Sequence, residues 1–175
     1  MKSKTSTWFQ TKVAYEKEVE NGEIKKITEI YVVEAASFTE AEDAIMEEAC
    51  HYASGEFDVT GIAKAPFKEV YFSENPRDDK WYKVKVNLLS FDEKTQKEKK
   101  ASHTYLVQSN SLQNAVKSVD TFMGTGMQDW EFSSIAATQI LDVYEKKAFA
   151  AKEEADDKPE YEVAETTETE NTTEV

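Results

Sequence analysis

Cysteine, histidine, proline and glycine are all scarce in this sequence of 175 residues. It contains one cysteine, two histidines, three prolines and five glycines. A single cysteine excludes an internal disulfide and favours a reducing compartment. One cysteine and two histidines also fail to supply the four ligands of a structural zinc site. We therefore expect no metal centre and no cofactor.

Arrangements typical of catalysis are missing as well. Cys50 and His51 are neighbours on a predicted helix, where successive side chains diverge by about 100°, so we interpret Cys50 as buried and His51 as exposed. His51 and His103 lie at positions that do not match between the two halves of the sequence. Gly124–Gly126 follows a predicted helix, whereas a phosphate-binding loop precedes one. We interpret these glycines as a helix stop and expect no enzymatic activity.

Long apolar runs and positive charge are the other deficits. No apolar run approaches the ~20 residues of a membrane span, and the first ten residues lack the apolar core of a signal peptide. The chain has 21 basic and 35 acidic residues, a formal net charge of −14. Residues 152–175 hold ten of the acids and two lysines, or −8. We expect a soluble cytoplasmic protein with no membrane contact and a disordered, partner-recruiting acidic tail at residues 156–175.

What the sequence does contain is an internal repeat with a period of 73 to 74 residues. The matched segments are Trp8–Val13 with Trp81–Val86, Tyr31–Val33 with Tyr105–Val107, Ser37 with Ser111, and Val70–Tyr71 with Val143–Tyr144. Matches in the same order along both copies predict a tandem duplication. The first module spans residues 6–74 and the second spans residues 79–146.

Each module has the pattern of two strands, one helix and two further strands. The first strand alternates apolar and polar residues, as a half-buried strand does. Asn21-Gly22 then predicts a tight hairpin turn. Ser37 begins a helix over 37–52 and Ser111 begins one over 111–123. The predicted core contains Phe9, Val13, Ile45, Tyr82, Val84, Val86, Val116 and Val119.

These patterns together predict an α+β fold. It consists of two ββαββ modules related by pseudo-twofold symmetry, with antiparallel pairing and one helix packed on a sheet face in each module. Periodicity leaves open whether the two modules form one sheet or two.

Several short motifs resemble a family of uncharacterised proteins. They are Trp8-Phe9, Lys12-Val13, Ser37–Glu42, Gly55–Phe57 and Asp142–Tyr144. The family occurs in gut anaerobes and their phages and is known only as a domain of unknown function. The resemblance implies a shared fold and a bacterial or phage setting, and it implies no activity. A compact β-rich domain followed by an acidic tail also resembles the layout of bacterial and phage single-stranded DNA-binding proteins.

One pattern suggests a binding site. The face of each first strand opposite the predicted core alternates a tryptophan with polar or basic residues, as in proteins that stack bases on aromatic rings and track phosphates with ammonium groups. The candidate nucleic-acid-binding residues are Trp8, Lys12, Lys26, Trp81, Lys83, Lys85 and Lys100. In the alternative interpretation, the tryptophans pack between the copies or across a homodimer, and the lysines form an ordinary solvated face.

The sequence therefore predicts a non-enzymatic binding protein for single-stranded nucleic acid, an accessory of replication or recombination. Three alternatives remain open. The first is an interaction or inhibitor protein that engages a basic partner. The second is a module that sequesters a small ligand between its copies, and the third is a purely structural homodimer.

Deleting residues 156–175 tests the interpretation of the tail. The thermal midpoint should stay within about two degrees of that of the full chain, because no core residue is removed. Differential scanning calorimetry of the two proteins checks this. A clear drop in the midpoint would show that the tail docks on the folded part.

Overall fold

The computed structural model describes residues 1–18, 21–52, 56–94 and 96–146. The predicted tail at residues 156–175 lies outside the described residues. The described elements are β1 Lys2–Lys4, β2 Trp8–Glu18, β3 Ile24–Glu34, α1 Phe38–Ala49, a short 3-10 helix Cys50–Tyr52, β4 Phe57–Lys64, β5 Phe67–Phe72, β6 Lys80–Asp92, β7 Lys97–Ser109, α2 Leu112–Gly124, β8 Trp130–Ala137 and β9 Ile140–Tyr144. The α+β class and the order ββαββ in both modules are confirmed, and β1 is an additional strand that was not predicted.

The predicted caps and the first hairpin turn are present. The Ser37 hydroxyl accepts a hydrogen bond from the Glu40 backbone N–H at 3.1 Å, and Ser111 does the same for Asn114 at 3.3 Å. The Glu40 carboxylate in turn accepts a hydrogen bond from the backbone N–H of Ala36, the residue before the cap. These bonds satisfy backbone donors that the first helical turn leaves without partners. Gly22 has φ of +78°, which is the conformation that the Asn-Gly turn requires.

The two modules exchange their last strands. One sheet, the first sheet, has the strand order β4-β2-β3-β9, and the second sheet has the order β1-β5-β7-β6-β8. β5 thus leaves the first module and pairs in parallel with β7, while β9 leaves the second module and pairs in parallel with β3. These two parallel pairings differ from the antiparallel pairing predicted for every strand. The pairings β2–β3, β2–β4, β6–β7 and β6–β8 are antiparallel, and the unpredicted β1 also pairs antiparallel with β5. Each sheet therefore contains strands from both sequence repeats.

Three clusters of buried side chains follow from this arrangement. In the first, α1 packs Ala41 and Ile45 against the first sheet. In the second, α2 packs Val119 against the second sheet. The third, the central core, lies between the sheets and comprises Trp8, Val32, Ala65, Phe67, Val70, Trp81, Leu106, Ile140 and Val143. All predicted core residues are buried except Val116, which is half-buried because Ala115 and Val119 occupy the sheet-facing side of α2.

The two tryptophans lie beside the turns at which the chain crosses from one sheet to the other. The Trp8 carbonyl accepts the Ala65 N–H at 2.8 Å, and the Trp81 carbonyl accepts the Thr138 N–H at 3.0 Å. Each of these bonds fixes the turn just before an exchanged strand. Phe72 joins the two indoles, with ring centroids 6.4 Å from Trp8 and 5.6 Å from Trp81. The tryptophans therefore link the symmetry of the repeat to the packing of the sheets.

No helix in residues 1–18, 21–52, 56–94 and 96–146 is long and apolar enough to cross a membrane.

Replacing Trp81 by alanine tests the central core. The free energy of unfolding should fall by ~3–5 kcal/mol, the usual cost of truncating a buried tryptophan. Urea denaturation followed by circular dichroism measures this change. Lys85→Ala, an exposed residue farther along the same face of β6, is the control and should change stability by less than ~0.5 kcal/mol. A Trp81→Ala protein as stable as the control would contradict a structural role for the indole.

Candidate nucleic-acid interface

The two predicted stacking residues, Trp8 and Trp81, are buried in the central core. Only 1% of Trp8 and 2% of Trp81 is exposed. Their placement on an open face was wrong, because the two sheets pack on each other at this end and cover the face opposite the helices. The alternative interpretation, packing between the copies, is confirmed. Neither indole offers a ring face to a base.

Two of the five predicted lysines are paired with acids two strands away in the same sheet. The Lys26 ammonium lies 4.0 Å from the Asp58 carboxylate. Lys100 donates to Glu131 at 2.8 Å, and this hydrogen bond, together with the negative charge, raises the pKa of Lys100. Glu131 also accepts from the Asn87 amide. Both lysines therefore have a local counter-charge and attract an incoming phosphate less strongly.

The other three lysines are exposed and have no acidic partner in the described part of the chain. No described carboxylate lies within 4.0 Å of Lys12, Lys83 or Lys85. Lys12 and Lys85 occupy equivalent positions in the two repeats. These three are the predicted site residues that the structure leaves available to a polyanion.

The strand register shows what surrounds Lys83 and Lys85. Lys85 lies opposite Thr104 on β7 and Ser134 on β8, while Lys83 lies opposite Leu106 and Ala136. Ser102 follows on β7, opposite Asn87. We call the set Lys83, Lys85, Ser102, Thr104 and Ser134 the lysine face. None of its members or of the positions opposite them is acidic, so the positive charge and three hydroxyl groups are presented together.

The equivalent surface around Lys12 has a different composition. Lys12 lies opposite Ile30 and Gly61, so it lacks the hydroxyl neighbours of Lys85. An acid lies beside this surface in both copies, since Asp58 is opposite Ala14 and Glu131 is opposite Asn87 at the matching position. The second sheet therefore differs from the first in its second lysine and its hydroxyl groups.

One exposed aromatic residue lies farther along the same side of β6. Alternation from Lys85 through Asn87 and Leu89 places Phe91 on the face of the lysines, and 63% of Phe91 is exposed. It is about 20 Å from Lys85 along the strand, and Glu98 lies opposite it. Phe91 was not among the predicted site residues, because only the first half of this strand shows the alternation of tryptophan and lysine.

Cys50 differs from its prediction. It is exposed, because α1 ends at Ala49 and the short 3-10 helix turns the next residues outward. Its Sγ atom lies 3.7 Å from Nδ1 of His51. Among the described residues, no group of histidine, cysteine, aspartate and glutamate side chains has the geometry to hold a metal ion.

Comparison with known proteins places this fold in a family. No curated protein matches the chain. A family model described as a domain of unknown function, DUF4494, matches residues 7–146 and so covers both repeats and both exchanged strands. The chain therefore belongs to the DUF4494 family.

Proposed function

We propose that this chain is a non-enzymatic protein that binds single-stranded nucleic acid through the lysine face. The observation that carries the proposal is the pair of exposed lysines, Lys83 and Lys85, which have no acidic partner among the described residues and are set among hydroxyl groups. In this proposal the protein acts in a bacterial or phage-infected cell, and its acidic tail recruits other proteins.

The spacing of the lysines suits a phosphate backbone. Residues two apart on a strand project from one face about 6–7 Å apart, close to the separation of successive phosphates in an extended strand. The hydroxyls of Ser134 and Thr104 flank Lys85 and are donors that can supplement the ammonium group at a phosphate oxygen. Such binding is electrostatic and nearly independent of sequence.

Base stacking in this proposal falls to Phe91, since Trp8 and Trp81 are buried. A phenyl ring exposed at the end of the lysine-bearing strand is available to a base that follows the phosphates bound by Lys83 and Lys85. The net charge of −14 opposes binding at long range, so the affinity depends on this local face and rises as salt is lowered.

Replacing Lys83 and Lys85 by alanine tests the phosphate contacts. Affinity for a fluorescein-labelled oligothymidylate should fall, and the slope of log K against log salt should become shallower by about 1.4, or ~0.7 for each lost contact. Fluorescence anisotropy over a range of salt concentrations measures both. Lys64→Ala combined with Lys117→Ala removes the same charge elsewhere and should leave the slope unchanged. If the unmodified protein does not bind at low salt, the proposal is wrong and a protein partner becomes the leading hypothesis.

Replacing Phe91 by alanine tests stacking separately. Binding should weaken by ~1–3 kcal/mol, the usual value of one base–aromatic stack, with no change in the salt slope. The thermal midpoint should hardly move, because the ring is exposed. Ile24→Ala, which truncates an equally exposed apolar residue in the other module, is the matched control. Equal affinities for the Phe91 and Ile24 variants would show that Phe91 does not contact the bases.

A further inference from the structure

The first sheet carries a cavity on its helix-bearing side. Its volume is about 250 Å³. Its walls include three tyrosines, Tyr15, Tyr31 and Tyr144, and two carboxylates, Glu29 and Asp142. Tyr144 and Asp142 belong to the exchanged strand β9, so the cavity exists only because the second module contributes its last strand to the first sheet.

A hydrogen-bond network orients the wall. The hydroxyls of Tyr15 and Tyr31 both donate to the same oxygen of Glu29, at 2.7 and 2.6 Å. Tyr144 stacks on Tyr31 with centroids 5.7 Å apart and planes 27° from parallel. Desolvation and the bond to Glu29 raise the pKa of Tyr31, so its hydroxyl remains a neutral donor. The rings and the carboxylate are thus fixed before any ligand arrives.

The second repeat shows how the same space is filled when no ligand is accommodated. There Tyr105 and Tyr71 replace Tyr31 and Tyr144, and Phe122 of α2 lies against them. The Phe122 ring stacks on Tyr71 with centroids 3.8 Å apart and planes 8° from parallel, and it meets Tyr105 edge-on at 6.1 Å. A complete aromatic packing is therefore available to this backbone.

In the first repeat, the position of Phe122 is taken by Glu48, and the position of His103 is taken by Glu29. Desolvation raises the pKa of Asp142, the backbone N–H of Val143 lowers it, and the negative charge of Glu48 raises it. The first repeat thus has carboxylates at this place where the second repeat has rings, and their negative charge attracts a cation that enters the cavity.

The chemistry of the walls defines the ligand. Tyrosine ring faces and carboxylates together attract an ammonium group. The volume is below the range of about 300–1,000 Å³ that accommodates drug-sized ligands, so one unbranched chain end fits better than a large molecule. Lys17 lines the cavity, yet in the described part of the chain it forms no ion pair with Glu29 or Asp142. Neither carboxylate is therefore engaged in a direct salt bridge with Lys17.

We propose that this tyrosine cavity binds an alkylammonium group, carried either by a free amine or by a lysine side chain of another protein. The cavity lies on the helix side of the first sheet and shares no residue with the lysine face of the second. The inference is accordingly independent of nucleic-acid binding, and either proposal can fail without the other.

Isothermal titration calorimetry on the full chain tests the proposal with two amines, 1,4-diaminobutane and N-acetyl-lysine N-methylamide. The Nε-acetylated form of the lysine derivative is the uncharged control and should not bind. Tighter binding of the lysine derivative identifies a protein side chain as the source of the ammonium group, and tighter binding of the diamine identifies a free amine. Both results support an alkylammonium site. Absence of heat for both amines overturns it.

Two variants decide whether the amine enters the cavity. Glu48→Phe copies the packing of the second repeat and should abolish binding. Glu42→Phe, the same change on the exposed side of α1, should leave binding intact and so controls for the lost negative charge. Glu29→Gln preserves the shape of the wall and should weaken binding by about tenfold, the effect of losing one charge-assisted contact. If Glu48→Phe lowers the thermal midpoint, the affinity of the Glu29→Gln variant decides the test. Unchanged affinity in Glu29→Gln would place the amine elsewhere on the acidic surface and overturn the proposal.

Discussion

The packing of the two sheets through Trp8 and Trp81 is the constraint on which the rest of the molecule depends. Each indole occupies the central core, and each tryptophan carbonyl anchors the turn that sends the chain to the other sheet. Because β5 and β9 are exchanged, neither sheet is complete without both modules. Loss of one tryptophan therefore affects a surface shared by both halves, and the two modules are expected to unfold together.

The same packing determines which surfaces remain available for binding. Where the sheets meet, their inner faces are apolar and closed, and farther along β6 the face emerges as Lys83 and Lys85. On the other side of the first sheet, the arrival of β9 places Tyr144 and Asp142 beside Tyr31. The cavity is thus a consequence of strand exchange, whereas the lysine face is an open surface formed by β6, β7 and β8 of the second module.

Much of the local structure was predictable because it depends on residues close in sequence. The alternation of apolar residues specified the strands, Asn21-Gly22 the first turn, and Ser37 and Ser111 the helix starts. The partners of β5 and β9 were not predictable, since a parallel pairing across modules leaves no short-range signal. For the same reason the prediction that Lys83 and Lys85 are exposed is confirmed, whereas the prediction that Trp8 and Trp81 lie on an open face is wrong. The pairing of Lys26 and Lys100 with acids likewise depends on strand register, which periodicity alone does not fix.

The differences between the repeats are informative because the backbone is nearly common to both. Where two copies share a fold, a residue retained in both, such as Trp8 with Trp81, reflects what the fold needs. Where the two copies differ, as Glu48 differs from Phe122, the fold does not require either residue, because the other copy folds without it. Such a difference reflects a property of one copy alone. By this comparison the pair of neighbouring lysines belongs to the second sheet and the acid-lined cavity to the first. The duplication thus carries a lysine-bearing surface and an acid-lined cavity on one scaffold, so that each can change without disturbing the shared core.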